Sequence, residues 1–275
     1  MKKTSLEDTM NLQETIQSMK LYLFDMDGTL HLGDRLYPFT IDLLGRIRET
    51  GGRYLFMTNN SSKSVEDYIR KLDRLGIPSA REDYITSAQA TAWYLLQNHR
   101  DQRLYVCGTE SLKEELRSAG LTVTEEAAEA QCIVMGFDTE LTFRKLWDVS
   151  WLLSTREIPY IATNPDYVCP TEFGSVPDCG SVCDMIYNAT KKRPLVIGKP
   201  EALMPKLAME RWGVSPAETC CVGDRIYTDI RSGLNAGITT LLVLSGETTR
   251  EILDASAVKP HFVLEDAGQI LTALL

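Results

Sequence analysis

At 275 residues, with 44% hydrophobic and 24% charged side chains, the chain has the length and balance of one large α/β domain or two modest ones around a buried core. A net charge of −9 sets its surface against polyanions, so nucleic acid and anionic membrane are not expected partners, and an anionic small substrate would need a local pocket of positive charge. No run approaches the roughly 18 apolar residues of a membrane helix.

The opening segment, MKKTSLEDTMNLQETIQSMK, has two lysines but continues polar where a leader would be apolar, so no signal peptide is expected and the default location is cytoplasmic. LYLF (21–24) then reads as a buried strand ending on Asp25 and Asp27, with Gly28 and Thr29 directly after. FTIDLLGRIRETGG predicts a helix with Ile41, Leu44 and Ile47 on one face and a glycine stop. YLFM (54–57) predicts the next strand, followed by Thr58, Asn59, Asn60 and Ser61. In SVEDYIRKLDRLGI, Val65, Tyr68, Ile69, Leu72 and Leu75 keep helical period; Ser64 with Asp67 forms a capping box and Gly76 ends the helix.

The middle of the chain repeats this alternation. RLYVCG (103–108), CIVMGF (132–137) and PYIAT (159–163) read as strands, separated by the helices ESLKEELRSAG and LTFRKLWDVSWLLS. Trp147 and Trp151, four apart, read as one buried helical stripe. A turn-rich NPDYVCPTEFGSVPDCGS follows, then LVI (195–197), CCV (220–222), TTLLVL (239–244) and HFVL (261–264) as further strands. The fold class is therefore α/β, a doubly wound parallel-sheet core over 1–81 and 189–275 with an inserted α/β domain over 82–188. The seven cysteines are odd in number and lack CxxC spacing. Cys179 with Cys183, and adjacent Cys220 and Cys221, make a weak zinc framework, so reduced structural thiols are expected.

Ligands of an open parallel sheet bind outside the carboxyl ends of its strands. Four predicted strand ends deliver polar groups there: Asp25 and Asp27; Thr58, Asn59, Asn60 and Ser61; Gly198 and Lys199; Gly223, Asp224 and Arg225. Carboxylates, a hydroxyl and a lysine at one edge suit metal-assisted phosphoryl transfer: carboxylates hold Mg²⁺, lysine offsets phosphoryl charge, and an aspartate can be the nucleophile. The three histidines, His31, His99 and His261, are too few and too scattered for a multi-histidine metal site or a serine triad.

The motifs DMDGTL, TNNS, GKP and GDRIYTD, in that order, resemble the four motifs of the haloacid dehalogenase (HAD) superfamily, and the arrangement resembles its NagD-like type IIA phosphatases. The resemblance implies a Rossmann-like core, a C2-type cap between the second and third motifs, and a Mg²⁺-dependent phosphatase acting on a small phosphorylated metabolite. Sugar phosphates, phosphoglycolate, pyridoxal phosphate and nucleotides are the implied substrate classes. It implies that Asp25 is the nucleophile and a Mg²⁺ ligand, that Asp27 is the general acid and base with its carbonyl on the metal, and that Asp224 ligates Mg²⁺ with Asp229 as an outer partner. Thr58, Asn59 and Asn60 fall in the phosphate-binding motif, and Lys199 bridges nucleophile and phosphate. In the cap, ATNPD resembles a substrate-facing loop, which makes Asn164 and Asp166 candidates, and Gly180 and Ser181 resemble the hinge side of the return to the core. Caps of this type often pair, so a homodimer through the cap is an expectation. The competing readings are a phosphoacceptor signalling domain, usually much smaller than this chain and without a cap, and a catalytically silent ligand-binding protein, which would have no use for the intact acid and lysine set.

Overall fold

Runs of β-branched, aromatic and leucine side chains with no polar face form strands only where both sides are covered, and they fall into two parallel sheets. A computed structural model describes residues 6–171 and 173–275; Lys2 and Lys3 of the opening segment and Glu172 of the turn-rich stretch lie outside the described residues. In chain order the strands are β1 (Leu21–Phe24), β2 (His31–Leu32), β3 (Arg35–Leu36), β4 (Arg53–Thr58), β5 (Tyr84–Thr86), β6 (Arg103–Cys107), β7 (Thr122–Thr124) and β8 (Cys132–Met135). They continue with β9 (Tyr160–Ala162), β10 (Val168–Thr171), β11 (Gly174–Pro177), β12 (Leu195–Val196), β13 (Thr219–Gly223), β14 (Thr239–Val243) and β15 (Phe262–Leu264).

The chain divides into two units: one holds residues up to Met57, Ile69–Ile85 and Pro200–Leu275, the other Thr58–Tyr68 and Thr86–Lys199. The first is built on a six-stranded sheet in the order β15-β14-β13-β1-β4-β5. All four residues of β1 are buried, in parallel register with both neighbours: Phe24 stands opposite Val222 of β13 and Phe56 of β4. The chain leaves β1 toward β4 and β5, then returns on the other side to β13. The β1/β13 crevice is therefore the topological switch point, where ligands of such sheets bind.

The helix Val65–Arg74 follows its sequence signals. Ser64 and Asp67 exchange bonds as a capping box, and Gly76, at φ +84°, terminates the turn. In the helix Thr40–Glu49 the apolar face differs from the expected one. Leu43, Leu44 and Ile47 are buried, whereas Ile41 is 47% exposed. Leu43 and Leu44 together take the inward arc, and Ile41 falls outside it.

The second unit carries a five-stranded parallel sheet, β12-β9-β8-β6-β7, and an antiparallel hairpin of β10 and β11. The strand at 195–196, expected to resume the main sheet, instead pairs with β9 here; with two residues it had no pattern to choose its sheet. Trp147 and Trp151 are also corrected: they are 62% and 39% exposed. Along the helix Phe143–Thr155, Val149, Leu152 and Leu153 face the core, leaving Phe143, Trp147 and Trp151 on the opposite side, where they line a surface groove with Met185. Gly180, expected at a hinge, lies in the first turn of the helix Cys179–Thr190 inside this unit, and its N–H donates to Asp166 O at 2.8 Å. The seven cysteine side chains stand as reduced thiols; six are buried and Cys169 is half-buried. Among the described residues no helix is long and apolar enough to cross a membrane.

The helix register gives a direct stability test. Leu43→Ala should cost about 2–5 kcal/mol as a buried large-to-small change. Ile41→Ala should stay within about 0.5 kcal/mol. Urea unfolding of both variants measures the difference, and equal losses would contradict the register.

Candidate active site

Asp25 extends β1 by one ladder bond, its N–H donating to Val222 O at 2.8 Å, so its backbone is held by the sheet before the chain turns. The turn needs glycine at 28 for two reasons. Its φ is +84°, and a Cβ would lie 2.6 Å from Asp224 Oδ2. Asp224 follows β13 at the neighbouring strand end. From there the chain enters a π-turn, Ile226–Ile230, in which the N–H groups of Asp229 and Ile230 both donate to Arg225 O. Single π-turns recur at functional sites. This one folds Asp229 back so that its Oδ2 accepts from Arg225 N–H at 3.1 Å, against a Gly223 that leaves room for it.

The result is a cluster: carboxylate oxygens of Asp25, Asp224 and Asp229 lie within 4.8 Å of one another, Asp25 half-buried and the other two buried. Asp224 Oδ2 accepts from Glu247 N–H at 2.6 Å, while its Oδ1 is buried with no hydrogen-bond partner among the described residues. Burial, reinforced by the charges of Asp25 and Asp229, pushes the Asp224 carboxyl up to about 8, against the Glu247 N–H and Arg225, which favour its charge. An oxygen-only set with one orphaned buried oxygen and too much negative charge fits a hard divalent cation. Arg225 is engaged with Glu247, Nε to Oε2 at 2.8 Å.

Asp27 sits apart from the cluster's buried floor. Its side chain is 54% exposed and Oδ1 accepts from Gly33 N–H at 3.1 Å, within the short β2–β3 hairpin that His31 opens. His31 Nδ1 lies 3.7 Å from the same oxygen. Burial, then Lys71, holds the His31 pKa below its ordinary value despite Asp27, Asp25 and Asp34, so this approach is not an ion pair at neutral pH. Gly246 and Glu247 are site residues outside the four predicted strand ends. They follow β14, a fifth strand end, and Ser245 ties that turn to the first by donating to Gly28 O at 2.7 Å. The polar SGE directly after the apolar TTLLVL is the sequence signal that marks this strand end.

The remaining expected residues belong to the second unit. Thr58, last in β4, is buried; its Oγ1 accepts from Asn60 N–H at 3.2 Å, which leaves the hydroxyl proton to donate elsewhere. Asn60 Oδ1 accepts from Ser62 N–H and Ser62 O–H. Ser61 Oγ accepts from Phe137 N–H at 2.9 Å and pairs with Thr163 Oγ1. Asn59 grips Lys199: its Oδ1 accepts from Lys199 N–H and its Nδ2 donates to Lys199 O, each at 2.8 Å. Asn164 and Asp166 sit inside this unit. Asn164 is fully buried, its Nδ2 donating to Asp166 Oδ2 and Asp178 Oδ1, both at 3.2 Å.

A family model described as haloacid dehalogenase-like hydrolase matches residues 22–122, and a second HAD-hydrolase-like model matches 196–270. The 5'-nucleotidase YutF of Bacillus subtilis is 35% identical over 91% of this chain and 96% of its own. The structure of a 4-nitrophenylphosphatase from Thermotoga maritima superimposes with a TM-score of 0.91 at 37% identity, over 95% of this chain and 99% of that one. A glycerol phosphate phosphatase from Mycobacterium tuberculosis in complex with magnesium gives a TM-score of 0.87 at 28% identity, over 93% and 77%.

The carboxylate cluster predicts a pH signature. The folded Asp224 holds its proton to about 8, whereas an unfolded aspartate loses it near 3.8. Between those values the native state binds more protons, so metal-free protein should lose stability as pH rises through this window. Thermal melts in EDTA should fall from pH 5 to 8, and Asp224→Asn should flatten the slope. Equal slopes would contradict the assignment. Added Mg²⁺ should stabilise wild type more at pH 8 than at pH 6, because binding displaces the proton.

Proposed function

The chain belongs to the haloacid dehalogenase-like hydrolases, in their NagD-like type IIA branch, and from that premise we propose that it is a Mg²⁺-dependent phosphatase acting on a small phosphomonoester. The observation that carries this reading is the Asp25–Asp224–Asp229 cluster at the switch point of the first unit's sheet, with the orphaned oxygen of Asp224 in it. The relatives named above act, by their names, on a nucleotide, a nitrophenyl ester and glycerol phosphate. They share the phosphoryl group and differ in the alcohol, which supports a phosphomonoester without fixing its leaving group.

Asp25, Asp224 and the backbone carbonyl of Asp27 would hold the cation, with Asp229 fixing the turn behind them. The all-oxygen donors favour Mg²⁺ over metals that seek thiolate or imidazole, and a related phosphatase is known with magnesium. Bound there, the cation offsets charge on the phosphoryl oxygens.

The Asp25 carboxylate attacks phosphorus and forms an aspartyl-phosphate while the ester oxygen departs. Asp27 protonates that oxygen and then deprotonates the water that releases phosphate. Its exposed position, with its oxygen held by the N–H of Gly33 in the hairpin turn, suits a group that exchanges protons with solvent and substrate. Lys199 supplies a cation toward the phosphoryl group, and Thr58 a hydroxyl donor.

Asp25→Asn should abolish release of p-nitrophenol from p-nitrophenyl phosphate with little change in melting temperature, since an amide fits but cannot attack. Activity within tenfold of wild type would overturn the mechanism.

Asp27→Asn separates the two acid–base steps, each worth about 10²–10⁴. A p-nitrophenolate leaves with little protonation, whereas a sugar alkoxide needs it. Rapid mixing of this variant with p-nitrophenyl phosphate should therefore give a burst of up to one equivalent and then a slow steady state. A sugar phosphate should show slowed phosphorylation instead. Absence of a burst, with equal losses on both esters, would contradict the dual role.

A further inference from the structure

Asn59 does more than continue a turn. Its side-chain amide pairs with the main chain of Lys199 as a neighbouring strand would, Oδ1 accepting the N–H and Nδ2 donating to the C=O, both at 2.8 Å. The second Nδ2 proton goes to Asp166 Oδ2 at 3.1 Å. All three residues are buried, Asn59 6%, Lys199 3% and Asp166 7% exposed. Gly198 permits the approach, because a Cβ there would lie 2.6 Å from Asn59 Oδ1 and 2.5 Å from Thr163 O.

The geometry leaves one orientation for the amide. Rotated by 180°, it would set N–H against the Lys199 N–H, and oxygen against both the Lys199 carbonyl and the Asp166 carboxylate. A carboxylate is a strong acceptor that cannot donate when ionised, so Asp166 selects the productive orientation. Asp166 is itself held. Its Oδ2 also accepts from Asn164 Nδ2, whose other proton goes to Asp178 at the head of the helix Cys179–Thr190, while Asn164 Oδ1 accepts from Thr163 O–H at 3.0 Å. Asp166 Oδ1 is buried with no hydrogen-bond partner among the described residues. A fold that needed only a strut at 166 gains nothing from that uncompensated oxygen.

We propose that Asn59 and Asp166 are positioning residues for Lys199: the Asp166 carboxylate fixes the Asn59 amide, and the amide fixes the backbone from which the lysine reaches the phosphoryl group. This rests on Lys199 being the phosphate-directed cation of the proposed mechanism. It also changes the role of Asn164 and Asp166, from loop residues facing a leaving group to an internal brace.

A double-mutant cycle tests it, because residues that act through one group are strongly non-additive. Lys199→Ala should lower kcat on p-nitrophenyl phosphate by about 10²–10³, the size of a lost oxyanion donor. Asn59→Ala should lower kcat by about 100-fold, the order expected for misplacing a reacting group by an ångström. In the Lys199→Ala background, Asn59→Ala should cost less than about threefold. Asp166→Asn, which keeps shape and a hydrogen-bonding oxygen, should show the same dependence on Lys199 at smaller size, and serves where Asn59→Ala does not fold. Melting temperatures identify that case. If Asn59→Ala and Asp166→Asn cost the same with and without Lys199, the positioning role is wrong and the pair is merely structural. If Lys199→Ala alone leaves kcat unchanged, the role given to Lys199 is what fails.

Discussion

Like charge held at close range is the constraint on which the first unit is built. Two unit charges 4 Å apart interact by about 4 kcal/mol at an effective dielectric of 20, so three carboxylates within 4.8 Å of one another cannot all stay ionised unless something offsets them. Much of the local backbone makes sense as the means of holding that arrangement. Gly28 lacks the side chain that would strike Asp224, Gly223 leaves room for Asp229, and the π-turn shortens the path between two acids five residues apart. Glu247 N–H gives one Asp224 oxygen its partner, and the other is buried without one among the described residues. A protein evolving for stability alone would discard this geometry, since burial and mutual repulsion both work against it. Its presence is intelligible as a receptor for positive charge.

The second unit solves a different problem, by pairing its buried polar groups with one another. There the polar residues are buried and almost fully paired: Ser61 with Thr163 and Phe137 N–H, Asn59 with Lys199 and Asp166, Asn164 with Thr163, Asp166 and Asp178. Buried hydrogen bonds of this kind add little net stability each, but breaking one strands its partner, so the lattice is rigid in the sense that no member moves cheaply. One unit therefore gathers charge that invites a ligand, while the other fixes the backbone on either side of Thr58 and Lys199.

How far the sequence disclosed this depended on the length of the signal. β1 and β13 were readable because each joins a solid apolar run to polar residues at its end, and Asp25, Asp224 and Asp229 are brought together there. The Ser64–Asp67 box and Gly76 were readable because capping is local chemistry. β12 was assigned to the wrong sheet and β5 passed unnoticed because strands of two or three residues carry no periodicity; their place is set by partners distant in sequence. The tryptophans misled for the opposite reason. Spacing of four defines a helical stripe but not which side of the helix is covered, and Val149, Leu152 and Leu153 claim the core. The Asn59–Lys199 clamp, spanning 140 positions, left no trace in either motif taken singly.

The burial of the Asn164–Asp166 loop shapes where specificity can reside. Asn164 has no exposed surface, both protons of its amide are taken and its oxygen accepts from Thr163, so contact with a leaving group would first require this lattice to open. Opening it would release Asp166 from Asn164, and with it the restraint on the amide that holds Lys199. Selection of the alcohol by these two residues would thus loosen the backbone of Lys199 as well. Discrimination among esters is better placed on side chains outside this brace, where a substitution can alter fit to the alcohol without loosening the backbone at Asn59 and Lys199.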